Sequence, residues 1–113
     1  MKKVFIFAFA YIFSSNSYAE IFVHTDTINR LGGIESRENG DYVVLNGFTS
    51  AGTCPLSGGL VVARFRSEGG NGHSTFSLAL AAKISNKKVT IAVDDAVKNA
   101  NGSCFVHSVT ITE

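Results

Sequence analysis

Side-chain chemistry in this chain has to come from three histidines, two adjacent aspartates, one glycine-rich turn and two cysteines. His24, His73 and His107 have no second histidine at i+2 or i+4, and no carboxylate completes a familiar metal-ligand spacing. No metal site is expected. His24 and His107 fall in segments that read as strands, where an outward polar side chain is ordinary. His73 sits just ahead of a segment that reads as a helix. Asp94-Asp95 follows a strand-like run. Calcium needs about six to eight oxygens, and the Asp-x-Asp-x-Asp-Gly pattern is absent. Neighbouring residues of a strand point to opposite faces, so the pair does not converge on one substrate as acid and base. Gly69 to Ser74 lacks the Gly-Lys-Ser/Thr ending of a phosphate loop and reads as a turn before a helix. No nucleophile stands beside a base. The chain is expected to be no enzyme and to carry no cofactor.

Cys54 and Cys104 are the only thiols. A reactive cysteine favours a C-x-x-C motif, a helix N-terminus or a nearby base, and none is visible at either position. An even count in an exported chain points to a disulfide, and with two cysteines the connectivity has one answer. The bridge closes a loop of about 50 residues, which the chain-entropy model values at about 4 kcal/mol.

Export is what the first residues suggest. Lys2 and Lys3 form a positive start, Val4 to Phe13 is almost wholly apolar, and Ser17-Tyr18-Ala19 supplies small residues at the two positions a signal peptidase reads. The apolar run is about ten residues long, whereas a spanning helix needs roughly twenty. Residues 1–19 are therefore expected to be a signal peptide and residues 20–113 one domain, periplasmic or extracellular, without a membrane span. Without Lys2 and Lys3 the chain has eight Lys and Arg against nine Asp and Glu, a formal charge of −1. The cations are scattered in sequence, and Arg64 with Arg66 and Lys87 with Lys88 read as solvated pairs. Neither nucleic acid nor an anionic membrane is expected as a partner. Asn101-Gly102-Ser103 matches a glycosylation sequon, but the short Lys-Lys leader looks bacterial and the sequon is expected to be unused.

The elements that hold these residues are mostly strands. Ile21 to Ile28 reads as a first strand. Asn39-Gly40 is a hairpin signal, because both residues tolerate positive φ, and Tyr42 to Leu45 reads as the returning strand. Gly47 to Gly59 reads as a loop pinned by the disulfide, and Leu60 to Arg66 as a third strand. Ser74 to Asn86 predicts a helix, capped by Ser74 and ended at Asn86, with Phe76, Leu80 and Ile84 as its inward stripe. Val89 to Val93 alternates cleanly, which puts Val89, Ile91 and Val93 inside and Thr90 outside. Asp94 to Ser103 reads as a polar loop. Cys104 to Thr112 closes the chain with Phe105, Val109 and Ile111 inward and Val106 on the other side. The expected fold is mainly β with one helix, a small antiparallel OB-like barrel with one disulfide.

Ala81-Ala82-Lys83-Ile84-Ser85-Asn86-Lys87-Lys88-Val89-Thr90-Ile91, then Cys104 and Val106-x-x-Val109-x-Ile111, with Cys54 upstream, resemble small secreted bacterial proteins related to the B subunits of the subtilase-cytotoxin and pertussis-like toxins. The likeness covers roughly residues 54 to 112. It implies an OB fold with a disulfide, a glycan ligand and assembly as a homo-oligomer. None of that family's sugar-binding residues aligns with the N-terminal half, so no binding residue is carried over.

The function expected on these grounds is an exported binding module that recognises a glycan or a protein. The alternative is a periplasmic or secreted accessory or inhibitor protein without a sugar site. The ligand is expected on the loops Gly47 to Gly59 and Gly69 to His73, since binding residues concentrate on loops held by a rigid scaffold.

Overall fold

A computed structural model describes residues 20–33, 40–66, 72–98 and 102–112. The expected signal segment 1–19, Asn39 of the expected Asn39-Gly40 turn, Asn101 of the sequon and residues 69–71 of the glycine-rich turn lie outside the described residues. The elements are β1 (Ile21–Asp26), β2 (Ile28–Gly32), β3 (Tyr42–Leu45), β4 (Leu56–Ser57), β5 (Leu60–Val61), β6 (Ala63–Arg64), α1 (Gly72–Ile84), β7 (Val89–Lys98) and β8 (Cys104–Ile111). Mainly β with one helix, as the sequence predicts, they form a six-stranded sheet in the order β1-β7-β8-β6-β3-β2, with β4 and β5 as a separate hairpin.

The sheet is mixed rather than antiparallel, because β6 and β8 run parallel. Parallel neighbours need a long connection, and here the chain passes through α1 and β7 between them. The expected strand Ile21 to Ile28 is two strands. β1 pairs with β7 and β2 with β3, so they occupy opposite edges of the sheet although only Thr27 separates them in sequence. Among the described residues no ladder joins these two edges. Asn46 holds the corner: its backbone N–H donates to the Thr27 carbonyl at 3.0 Å, and its side-chain Nδ2 donates to Thr27 Oγ1 at 2.8 Å.

The core lies on one face of the sheet. Val43, Leu45, Val61, Phe65, Val89, Ile91, Val93, Cys104 and Val109 are buried there. The inward placement of Val89, Ile91 and Val93 agrees with their alternation. β7 does not stop at Val93 as predicted but continues through the expected loop residue Asp94 to Lys98, because Asp94 and Lys98 still find partners in Phe105 and Cys104 across an irregular stretch. β8 also departs from simple alternation. The register slips between Ala92 and Val93, leaving His107 as an extra residue between Val106 and Ser108. A bulge of this kind reverses which residues face inward beyond it. Val106 therefore joins Val109 and Ile111 against the core, while Phe105 turns to the other face beneath Arg66, the reverse of the predicted pair.

The helix turns its small residues inward. Gly72, Ala79 and Ala82 are buried, and Phe76 meets Phe65 edge-on at 5.4 Å. Leu80 and Ile84 are 42% and 76% exposed, so the predicted stripe Phe76, Leu80, Ile84 is wrong beyond its first residue. α1 packs on β8 and β2. A face of alanines lets a helix approach a sheet more closely than a face of leucines does, and that close approach decides which stripe is buried. Asn86 ends the helix as expected: its φ of 56° is the left-handed C-terminal conformation, and Lys87 N–H donates to the Ala82 carbonyl at 2.9 Å.

Cys54 and Cys104 are bridged, with their Cα atoms 5.5 Å apart. The bond ties the segment after β3 to the start of β8, and both cysteines belong to the core.

Candidate functional site

The alternation that buries Ala63 and Phe65 turns Arg64 and Arg66 to the opposite face of the sheet. There Tyr42 of β3 is the register partner of Arg64, and the Arg64 guanidinium sits 5.2 Å from the Tyr42 ring centroid. Arg64 Nη1 also donates to the Gly40 carbonyl at 2.8 Å. The stack and the hydrogen bond hold this cation in one place. Tyr42 lies opposite Gly32 of β2, where an added Cβ would come within 2.8 Å of the phenol oxygen, so glycine makes room for the ring.

A second wall comes from the β4–β5 hairpin. Gly58 and Gly59 have φ of 63° and 83°, and a two-residue hairpin turn with both centres at positive φ is where glycine is favoured. This tight turn brings Ser57 back over the sheet, and the Arg30 Nη2 donates to the Ser57 carbonyl at 3.4 Å. Arg30, Tyr42, Ser57, Val62 and Arg64 together line a cleft of about 240 Å³. On the same face the Arg66 guanidinium stacks 4.4 Å from the Phe105 ring centroid.

The cleft presents two guanidiniums, a phenol, a small hydroxyl and one aliphatic wall. Such a set recognises an oxyanion and hydroxyl groups through charge-assisted and neutral hydrogen bonds. Among the described residues lining it there is no His, Cys, Asp or Glu.

Asp94, Asp95 and His24, among the residues first considered for chemistry, make contacts that hold the fold. Asp94 Oδ1 accepts from the Ala96 backbone N–H at 2.9 Å. Asp95 accepts from the backbone N–H of Glu20 and of Thr53, each at 3.4 Å, and so ties the start of β1 to the segment beside Cys54. His24 is half-buried rather than an outward strand residue: its ring stacks on Phe48 at 5.0 Å, and Nε2 lies 2.9 Å from the Asn46 carbonyl and 3.7 Å from Asp26 Oδ2. His73 and His107 are exposed. Among the described residues no group of three His, Cys, Asp or Glu is placed to hold a metal ion. Also among them, no helix is long and apolar enough to cross a membrane.

Of the two loops expected to carry a ligand, Gly47 to Gly59 contributes Ser57 to the cleft. His73 lies outside it, and residues 69–71 are outside the described residues. Sequence reasoning missed Arg30, Tyr42, Val62 and Arg64. Two signals pointed to them: Arg64-x-Arg66 at strand spacing, and Gly58-Gly59 between Leu56-Ser57 and Leu60-Val61. No protein-family model, curated protein or solved structure matches the chain.

Proposed function

We propose that this chain is an exported binding module built on an OB-like barrel, with its ligand seated between Arg30, Tyr42, Ser57, Val62 and Arg64. The observation that carries this reading is the cleft itself, in which cations, hydroxyls and an aromatic ring from separate elements converge on about 240 Å³. Support for the barrel comes from the two sheet edges, β1 and β2, which are successive stretches of one backbone bent at Thr27. The helix between β6 and β7 and the parallel β6–β8 pair fit the same plan. The leader-like residues 1–19 and the Cys54–Cys104 disulfide support export.

Printed glycans and a pull-down from the envelope fraction test the site, with Tyr42→Ala as the probe. The wild-type chain binds a glycan or an envelope protein, and Tyr42→Ala weakens that binding at least about tenfold, because it removes both the ring and the support for Arg64. A Tyr42→Ala protein that melts and binds like wild type would place the ligand elsewhere.

A further inference from the structure

The sequence scatters its cations, but the sheet gathers three of them. Register places Gly32, Tyr42, Arg64 and Phe105 in one cross-strand row over β2, β3, β6 and β8. Arg66 stands two residues beyond Arg64 on β6 and covers Phe105, while Arg30 closes the other side of the cleft. Two of the three guanidiniums lie over aromatic rings on the same face. Asp94 is the next register partner beyond Phe105, so the positive row ends there.

From this row we infer that the module binds an extended acidic polysaccharide, carrying carboxylate or sulfate groups on successive sugars, along Arg30, the cleft, Arg64 and Arg66. The inference rests on the cleft being the ligand site and names what fills it. A guanidinium lying on an aromatic ring is fixed in its plane and can offer its N–H edge to an oxyanion in a defined direction. Arg64 is a fixed charge at the centre, tied to Gly40 and Tyr42. Arg30 and Arg66 are exposed at either side of it and supply the contacts that lengthen the site beyond one sugar. The Tyr42 hydroxyl and Ser57 suit the neutral hydroxyls between the acidic groups.

Two other occupants fit less well. A protein partner of ordinary affinity anchors large apolar or aromatic side chains in a desolvated centre, and among the described residues the aliphatic lining of this cleft is Val62. A single-stranded nucleic acid stacks its bases on open aromatic faces, and here guanidiniums lie over both rings.

The test uses the full disulfide-bonded chain and calorimetry against three probes: oligogalacturonate, heparin-derived oligosaccharide and neutral maltohexaose. At least one acidic probe binds and maltohexaose does not. Raising salt from about 50 to about 500 mM weakens that binding by about tenfold or more, as expected for exposed charges. Arg30→Gln and Arg66→Gln each weaken it about tenfold, the loss of one charge-assisted contact. The melting temperatures of both variants stay unchanged, and Lys87→Gln, an exposed cation away from the row, binds like wild type. Binding of oligogalacturonate alone assigns the anion as carboxylate, and binding of heparin alone as sulfate. Maltohexaose bound as tightly as the acidic probes, and lost in Tyr42→Ala, would keep the cleft and overturn the acidic ligand. A protein captured through Tyr42 with no saccharide bound would do the same. Acidic probes bound equally by Arg30→Gln and Arg66→Gln would overturn the row, and failure of every probe together with an empty pull-down would overturn both readings.

Discussion

Ile91 and Thr90 are neighbours in β7, yet their substitutions should differ several-fold in cost. Ile91 is 1% exposed and packs in the core, whereas the Thr90 hydroxyl pairs with the Thr25 hydroxyl at 2.7 Å on the outer side. Ile91→Ala leaves a cavity and should cost about 2–5 kcal/mol. Thr90→Ala gives up one partly solvated hydrogen bond and should cost about 1 kcal/mol or less. Chemical denaturation of the two variants side by side measures the difference, and equal midpoints would mean the strand's facing is reversed. This contrast was legible in the sequence because an uninterrupted strand has a strict period of two. The cleft residues were not, because Arg30, Tyr42, Ser57 and Arg64 come from four elements and nothing local links them. Two arginines at i and i+2 look the same whether water or a ligand faces them. His24 was misread for a related reason: its ring stacks on Phe48, 24 positions away, and no periodicity within β1 reports that contact.

At the scale of elements, the helix shows how packing overrides pattern. Phe76, Leu80 and Ile84 at i, i+4 and i+8 give an apolar stripe, but the helix is turned about Phe76 so that Gly72, Ala79 and Ala82, which fit closer to the sheet, are buried in place of Leu80 and Ile84. Ala82 is fully buried, so Ala82→Leu forces a larger side chain between α1 and the sheet and should destabilise by about 1–3 kcal/mol. Leu80→Ser, at a 42% exposed position, should cost well under that. Thermal melts of the pair decide between the observed face and the stripe read from the sequence, which predicts the opposite order. The bulge at His107 is the second element-scale device. One extra residue exchanges the facing of Phe105 and Val106, and it is what delivers the Phe105 ring to Arg66 on the outer face. A bulge is set by the pairing of two strands, β7 and β8, so reading β8 alone cannot reveal it.

Across the whole molecule, the disulfide joins what the ladders leave apart. Cys54 lies between β3 and β4, Cys104 opens β8, and 50 positions separate them. Thr53, beside Cys54, donates its backbone N–H to Asp95, and Lys98 Nζ donates to Thr53 Oγ1 at 2.6 Å, so the bridge has polar bonds alongside it to the end of β7. These bonds are exposed and should contribute little by themselves, about 1 kcal/mol or less each. The covalent bond acts mainly on the unfolded chain by removing loop-closure entropy, about 4 kcal/mol for a loop of this length in the chain-entropy model. A domain of this size has a total stability of about 5–15 kcal/mol, so the bridge is a large fraction of it. Cys54→Ser and Cys104→Ser should each lower stability by about 2–5 kcal/mol. Because either change opens the same bond, the double variant should cost about as much as one of them and not their sum. Denaturation of the three variants, with thiol labelling of the unfolded, unreduced wild type to confirm that no reactive thiol is present, makes the comparison. Additive losses would show that each cysteine stabilises the core through its own packing and that the closed loop contributes little.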